Sequence, residues 1–163
     1  DEVMSKLKFS FLVLMLMVSV SASADWAPAD VQAALKKMYP TADGVAWSHD
    51  GSYYVADFLM NGLDTKVWFD GQAQWVMQQT DWETMDEVPP AVYNAFAASE
   101  YSGGMVQNVT WVQFPKWQSI VAVEVGMANL QTKYQILFTP TGEIIRARNV
   151  TYTYNPLGAA TFL

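Results

Sequence analysis

The chain has 163 residues, a formal net charge of −7, no cysteine and one histidine, His49. An acidic surface repels phosphate backbones, so nucleic acid is not an expected partner. Without cysteine there is no disulfide, no thiolate zinc site, no Cys–His nucleophile and no lipid-bearing cysteine, and a Ser–His–Asp relay would have to use His49.

Residues 4–24 read MSKLKFSFLVLMLMVSVSASA. Lys6 and Lys8 give a positive start, Phe9 to Val20 is apolar apart from Ser10 and Ser19, and Ala22-Ser23-Ala24 is a small-x-small cleavage site. That is the layout of a secretory signal peptide. A membrane span needs about 20 apolar residues, and this run is shorter. Asp1-Glu2-Val3 precede Met4 and are set aside as an artefact, so 1–24 is leader and the mature chain begins at Asp25. The excluded part holds two acids and two bases, which leaves the net charge at −7. Residues 25–163 suit one domain with its own core, periplasmic or secreted, with no membrane span and no cofactor or metal expected. Hydrophobic residues make up 52% of the sequence and like charges do not cluster, which argues against disorder.

The spacing predicts a first helix over 27–39. Val31, Ala34, Leu35 and Met38 share a face, Pro28 suits the first turn, and Pro40 ends it. Lys36 and Lys37 sit where the helix dipole favours cations. Strands are expected over 44–48, 53–60, 65–69 and 73–79, separated by turn residues such as Asn61-Gly62 and Asp70-Gly71. The pattern then restarts. A helix over 88–99, opened by Pro89 and Pro90, precedes extended segments at 105–114, 119–126, 132–138 and 143–154.

Offsets of 61, 67 and 69 bring the two halves into register, with growth only in the gaps between elements. Val31, Leu35, Tyr54, Ala56, Phe58, Val67 and Phe69 then fall on Val92, Phe96, Val121, Val123, Val125, Ile136 and Phe138. The expected fold is α+β: two tandem helix-plus-β-meander repeats, about 27–80 and 88–151, followed by a C-terminal tail, with helices packed on one face of an antiparallel sheet. Strand alternation puts Tyr54, Ala56, Phe58, Val67 and Phe69 under the helices. It puts Tyr53, Val55, Asp57, Lys66, Trp68, Glu124, Lys133 and Gln135 on an open face.

A helix ending in MYP, then VAWSHDGSYYVADF, KVWFDGQAQWV and VPPAVYNAF, resembles the periplasmic PepSY-like, β-lactamase-inhibitor-like family. The resemblance spans nearly all of the mature chain. It implies helix-plus-meander units and no catalytic motif. The sequence departs from the family's plain glycine turn at Ala73, which aligns with Gly142.

Few residues offer chemistry. His49-Asp50-Gly51 reads as a strand-to-strand turn rather than a base with its orienting acid. Asp57 and Glu124 occupy equivalent positions and could act as acid and base on a glycoside, or simply pair with Lys66 and Lys133 across strands. Asp64, Asp70, Asp81, Asp86 and Glu87 lack the spacing of a calcium loop and read as turn and helix-entry acids. Two Asn-x-Thr matches, at Asn108 and Asn149, carry no weight in a bacterial-type exported chain. Seven tryptophans remain: Trp26, Trp47, Trp68, Trp75, Trp82, Trp111 and Trp117. Trp75 is expected in the core. Trp68 on the open face, and Trp111 and Trp117 bracketing the loop VQFPKWQ, are candidates for partner contact with Tyr53, Asp57 and Glu124. The expected function is a non-enzymatic binding module, inhibitor-like, for an unknown protein or peptide. The alternative is a glycan-binding or glycan-processing protein using the exposed aromatics and the carboxylate pair. A structural or signalling component met through a sheet edge is a third reading.

Overall fold

The computed structural model describes residues 27–163; the leader, its cleavage site and Trp26 lie outside the described residues. Helix α1 (Ala29–Met38) is followed by β1 (Ala46–Asp50), β2 (Tyr53–Met60), β3 (Leu63–Phe69) and β4 (Trp75–Asp81). A 3-10 turn at Met85–Glu87 leads into α2 (Pro90–Ala97), then β5 (Met105–Gln113), β6 (Ile120–Met127), β7 (Thr132–Phe138) and β8 (Ile144–Asn149). A short α3 (Ala159–Phe162) follows. All eight strands form one antiparallel sheet in sequence order, β1 to β8, so strand far outweighs helix. Every connection joins adjacent antiparallel neighbours, by short links except between β4 and β5, where the connection carries α2.

One face is built as expected. Val31 and Leu35 of α1 pack on Ala56, Phe58, Val67 and Phe69. Val92 and Phe96 of α2 pack on Val109, Val121, Val123, Val125, Ile136 and Phe138. Val67, Phe69, Ile136 and Phe138 have no exposed surface. Trp75 packs against the first of these clusters, and Trp47 stands tilted against Phe69 with ring centroids 6.1 Å apart. Burying each large side chain contributes roughly 1.5–3 kcal/mol.

Two turns at the same end of the sheet differ. Gly142, between β7 and β8, has φ +90, and a Cβ there would lie 2.5 Å from the Ala91 carbonyl oxygen of α2. Only glycine fits so close to a helix backbone in a left-handed conformation. Ala73, between β3 and β4, also has positive φ (60). An L-residue with a Cβ holds that conformation at a cost of about 1–2 kcal/mol.

Two expectations need correction. β1 runs two residues later than expected, so His49 and Asp50 belong to the strand and the turn is Gly51-Ser52. The expected strand over 143–154 ends at Asn149; the chain then leaves the sheet and returns across its second face, ending in α3. Helices are therefore not confined to one face.

Candidate functional site

The second face has two zones. The first lies toward the β2–β3 and β6–β7 turns and is polar. Asp57 of β2 sits opposite Lys66 of β3 in the sheet register. The Lys66 ammonium is 3.5 Å from Asp57 and 3.2 Å from Asp64. On β6 and β7, Lys133 is 3.7 Å from Glu124. The expected cross-strand lysine partners are thus present. Partial burial pushes the Asp57 carboxyl up, helped by its hydrogen bond with Asp64 and opposed by Lys66. Asp64 is held below the usual range by the same hydrogen bond, against burial. Burial pulls Lys66 down, but the two acids together outweigh it and raise it. These groups remain well hydrated, so each pair contributes little to stability.

Asp57 and Glu124 stand four strands apart, on β2 and β6. At about 4.7–4.9 Å per strand that is about 19 Å along the sheet. Glycosidase carboxylates act as a pair about 5–9.5 Å apart, whereas each of these two is paired with a lysine of its own. A shallow cleft of about 300 Å³ lies elsewhere, between α1 and β1, lined by Leu35, Lys36, Tyr39, Asp43 and Trp47 among others. Neither Asp57 nor Glu124 lines it.

The second zone overturns the open-face expectation for Trp68, Val55 and Gln135. Val55 and Trp68 are each 4% exposed and Gln135 is 3% exposed. With Met77, Val112, Ala122 and Leu137 the two apolar residues form a third core cluster, closed by Ala159 and flanked by Tyr53, Phe114, Leu157 and Phe162. The covering segment, residues 156–162, is held by the sheet's polar side chains. The Gln135 side-chain amide donates to the Pro156 carbonyl at 2.8 Å, and that of Gln79 to the Leu157 carbonyl at 2.6 Å. Asp50 Oδ2 accepts from the Ala159 backbone N–H and from the Trp68 indole N–H, each at 2.8 Å. Arg148 donates to the Thr161 hydroxyl at 2.8 Å and to Gln135 Oε1 at 3.3 Å. Burial, with Arg146 close by, lowers the Arg148 pKa. The segment meets β7, β4 and β1 in turn and then β8 through Thr161, and the cause of the misplaced residues is this cover.

Trp111 is also not where the loop reading put it. It lies on the helix side of β5, stacked on Trp82 with centroids 5.3 Å apart and packed against the α2 cluster. Trp117, by contrast, is 76% exposed in the β5–β6 loop. Tyr53 is half-buried at the margin of the covered zone. Asp50, Gln79, Gln135 and Arg148 went unrecognised as a set. Their signal was weak: a Gln at an inward-facing position of an apolar strand needs a buried partner, and the sequence does not name it.

A meander with its two long helices on one face and charged rows on the other is the architecture that the resemblance above implies. The family described as "Putative beta-lactamase-inhibitor-like, PepSY-like" matches residues 52–146. The chain belongs to this PepSY-like family. A DUF2874 family protein from Bacteroides uniformis is 98% identical, with TM-score 0.84, over 85% of this chain and 100% of that one. A structure from Bacteroides eggerthii, described as "putative periplasmic proteins", is 70% identical with TM-score 0.83, over 85% and 99% of the two chains. A BLIP-like protein from Bacteroides fragilis is 32% identical with TM-score 0.72, over 80% and 92%. No curated protein matches. The family and the B. fragilis protein are both described as inhibitor-like, and neither description names an enzyme. The periplasmic or secreted location expected from the leader agrees with the B. eggerthii relative. No helix among the described residues is long and apolar enough to cross a membrane.

Proposed function

We propose that the mature chain, from Asp25, is a single-domain, exported, non-enzymatic binding module that recognises a protein partner in an inhibitor-like way. One observation carries the reading: each candidate acid is tied to its own lysine, in rows four strands apart and outside the cleft between α1 and β1, while Trp117 stands 76% exposed on a loop. That arrangement offers a broad contact surface and no reacting centre. Trp117 at the β5–β6 end of the sheet, the Asp57–Lys66 and Glu124–Lys133 rows toward the opposite end, and Tyr53 are the proposed recognition residues. Trp68 and Trp111 would act from beneath, by holding the sheet. The same reading takes the two helix-plus-four-strand units as repeats of one plan, supported by the matched burial of Phe69 with Phe138 and Val67 with Ile136.

The test starts from a partner captured with the mature chain from periplasmic extract, identified, and then titrated in pure form. Trp117→Ala should weaken binding about thirtyfold, on the order of 2 kcal/mol, with an unchanged melting temperature. The double change Asp57→Asn with Glu124→Gln should weaken it mildly. A captured glycan that is hydrolysed by the native chain and spared by the double variant would move the protein to the alternative class.

A further inference from the structure

An open sheet has two edges, and the two edges of this one are built differently. Among the described residues β1 pairs only with β2 and β8 only with β7, so each turns a row of backbone N–H and C=O groups outward. β8 is guarded. Arg146 lies opposite Leu137 and Ile144 opposite Phe138, which leaves Ile145 as an extra, bulged residue. Pairing β8 with β8 of another copy over its full length would centre on Arg146 or on Ala147, and either register sets arginine against arginine. β1 has no such guard. Its five residues pair with β2 without a break and include no lysine, arginine or proline. Ala46 and Ser48 are exposed, and Trp47 is half-buried.

We propose that β1 is a dimer edge, and that its occupant is β1 of a second copy, antiparallel and centred on Ser48. Gly51-Ser52 is a two-residue turn with Gly51 at φ +59, closed by Asp50 opposite Tyr53. Asp50, Ser48 and Ala46 therefore bond to β2, and Trp47 turns its N–H and C=O outward. Centred on Ser48, the whole strand finds opposites: Ser48 meets Ser48, Trp47 meets His49, and Ala46 meets Asp50. No like charges meet, and Trp47, packed inward on Phe69, gains an aromatic cross-strand neighbour on the helix side. Five residues span only about 17 Å, so the contact falls below the roughly 1,200–2,000 Å² of a stable interface. The dimer is therefore weak and reversible. Each copy carries a net charge of −7, so the copies repel at low ionic strength and salt strengthens the pairing. Antiparallel neighbours are related by an axis normal to the sheet, so the second faces of both copies look the same way. The Asp57–Lys66 and Glu124–Lys133 rows are then presented twice on one side, which suits a repeated or dimeric target. The pairing rests on β1 alone, so it holds even if those rows bind nothing.

The test is sedimentation equilibrium of the whole mature chain, followed up to about 1 mM. It should show a monomer–dimer equilibrium that tightens about threefold or more as salt is raised to physiological strength. Ser48→Lys sets two ammonium groups opposite each other and should weaken the dimer about tenfold or more. The melting temperature of the dilute monomer should not change, because Ser48 is exposed. The chain has no cysteine of its own, so Ser48→Cys reports this one position. Ser48 meets its copy as a non-hydrogen-bonded pair, with Cα atoms about 4.5 Å apart and within disulfide reach. Mild oxidation should link Ser48→Cys into dimers and leave Ala147→Cys, on β8, monomeric. A monomer at every concentration overturns the proposal and leaves the edge to a strand of another protein. Equal cross-linking through Ala147→Cys overturns it too, as does a dimer that Ser48→Lys leaves intact, since the copies then meet elsewhere. Oligomers that grow beyond two would bring β8 into the contact and overturn the closed dimer.

Discussion

On the helix side of the sheet, Val67, Phe69, Ile136 and Phe138 are wholly buried beneath α1 and α2, and the contact is apolar apart from the Tyr39 hydroxyl, which donates to Gln78 Oε1. On the other side Val55, Trp68, Met77 and Leu137 are nearly as deeply buried, but the floor is interrupted by Asp50, Gln79, Gln135 and Arg148. The difference lies in what covers each face. A helix satisfies its own backbone in the middle and asks only for apolar surface. An irregular segment has carbonyls and N–H groups with no ladder to join, and a buried one must find partners in the layer below. The polar residues of the second face are those partners, and no buried side-chain nitrogen or oxygen among the described residues lacks one. A sheet face dotted with Gln and Asp can therefore be an interior surface.

The comparison can be broken most forcefully by truncating one floor residue on each face. Phe69→Ala and Trp68→Ala should each cost about 3–5 kcal/mol in denaturant unfolding. An unchanged midpoint for Trp68→Ala would mean that residues 156–162 do not cover it in solution. Next in size, Asp50→Ala deprives the Ala159 N–H and the Trp68 indole N–H of their acceptor. A loss of about 1–3 kcal/mol follows from leaving such groups unmatched. It should come with faster amide exchange confined to residues 157–162, because the covering segment opens before the sheet does. If exchange rises equally in α1, the two faces are one cooperative unit. Least of all, Lys66→Ala should change stability by under roughly 0.5 kcal/mol, since its partners Asp57 and Asp64 are both well exposed. A larger loss would mean that the polar zone, too, is covered.

Local pattern was enough for much of this protein. Alternation along YYVADF and KVWF assigned Ala56, Phe58, Val67 and Phe69 to the helix side, and the proline-bounded runs gave both large helices to within a few residues. The meander followed from turn residues at Asn61-Gly62 and Asp70-Gly71, because short links between apolar runs permit only antiparallel neighbours. The Asp57–Lys66 pairing was legible because it is a cross-strand contact between consecutive strands. Trp111 was not: its parity matched the helix side, and its nearness to an exposed loop misled.

What the sequence determined by itself is what depends on periods of 2 and 3.6 residues and on chain neighbours: the two long helices, the eight strands and their order, and which way the strand residues point. What only the tertiary structure decided is what lies over each face. Residues 155–163 contain no periodic pattern, only Asn, Pro, Gly, Thr and scattered apolar groups. Their place is fixed by hydrogen bonds to residues up to 109 positions away, from Ala159 back to Asp50. A contact of that span leaves no local trace, because Asp50 looks the same whether it faces water or the amide that returns to meet it.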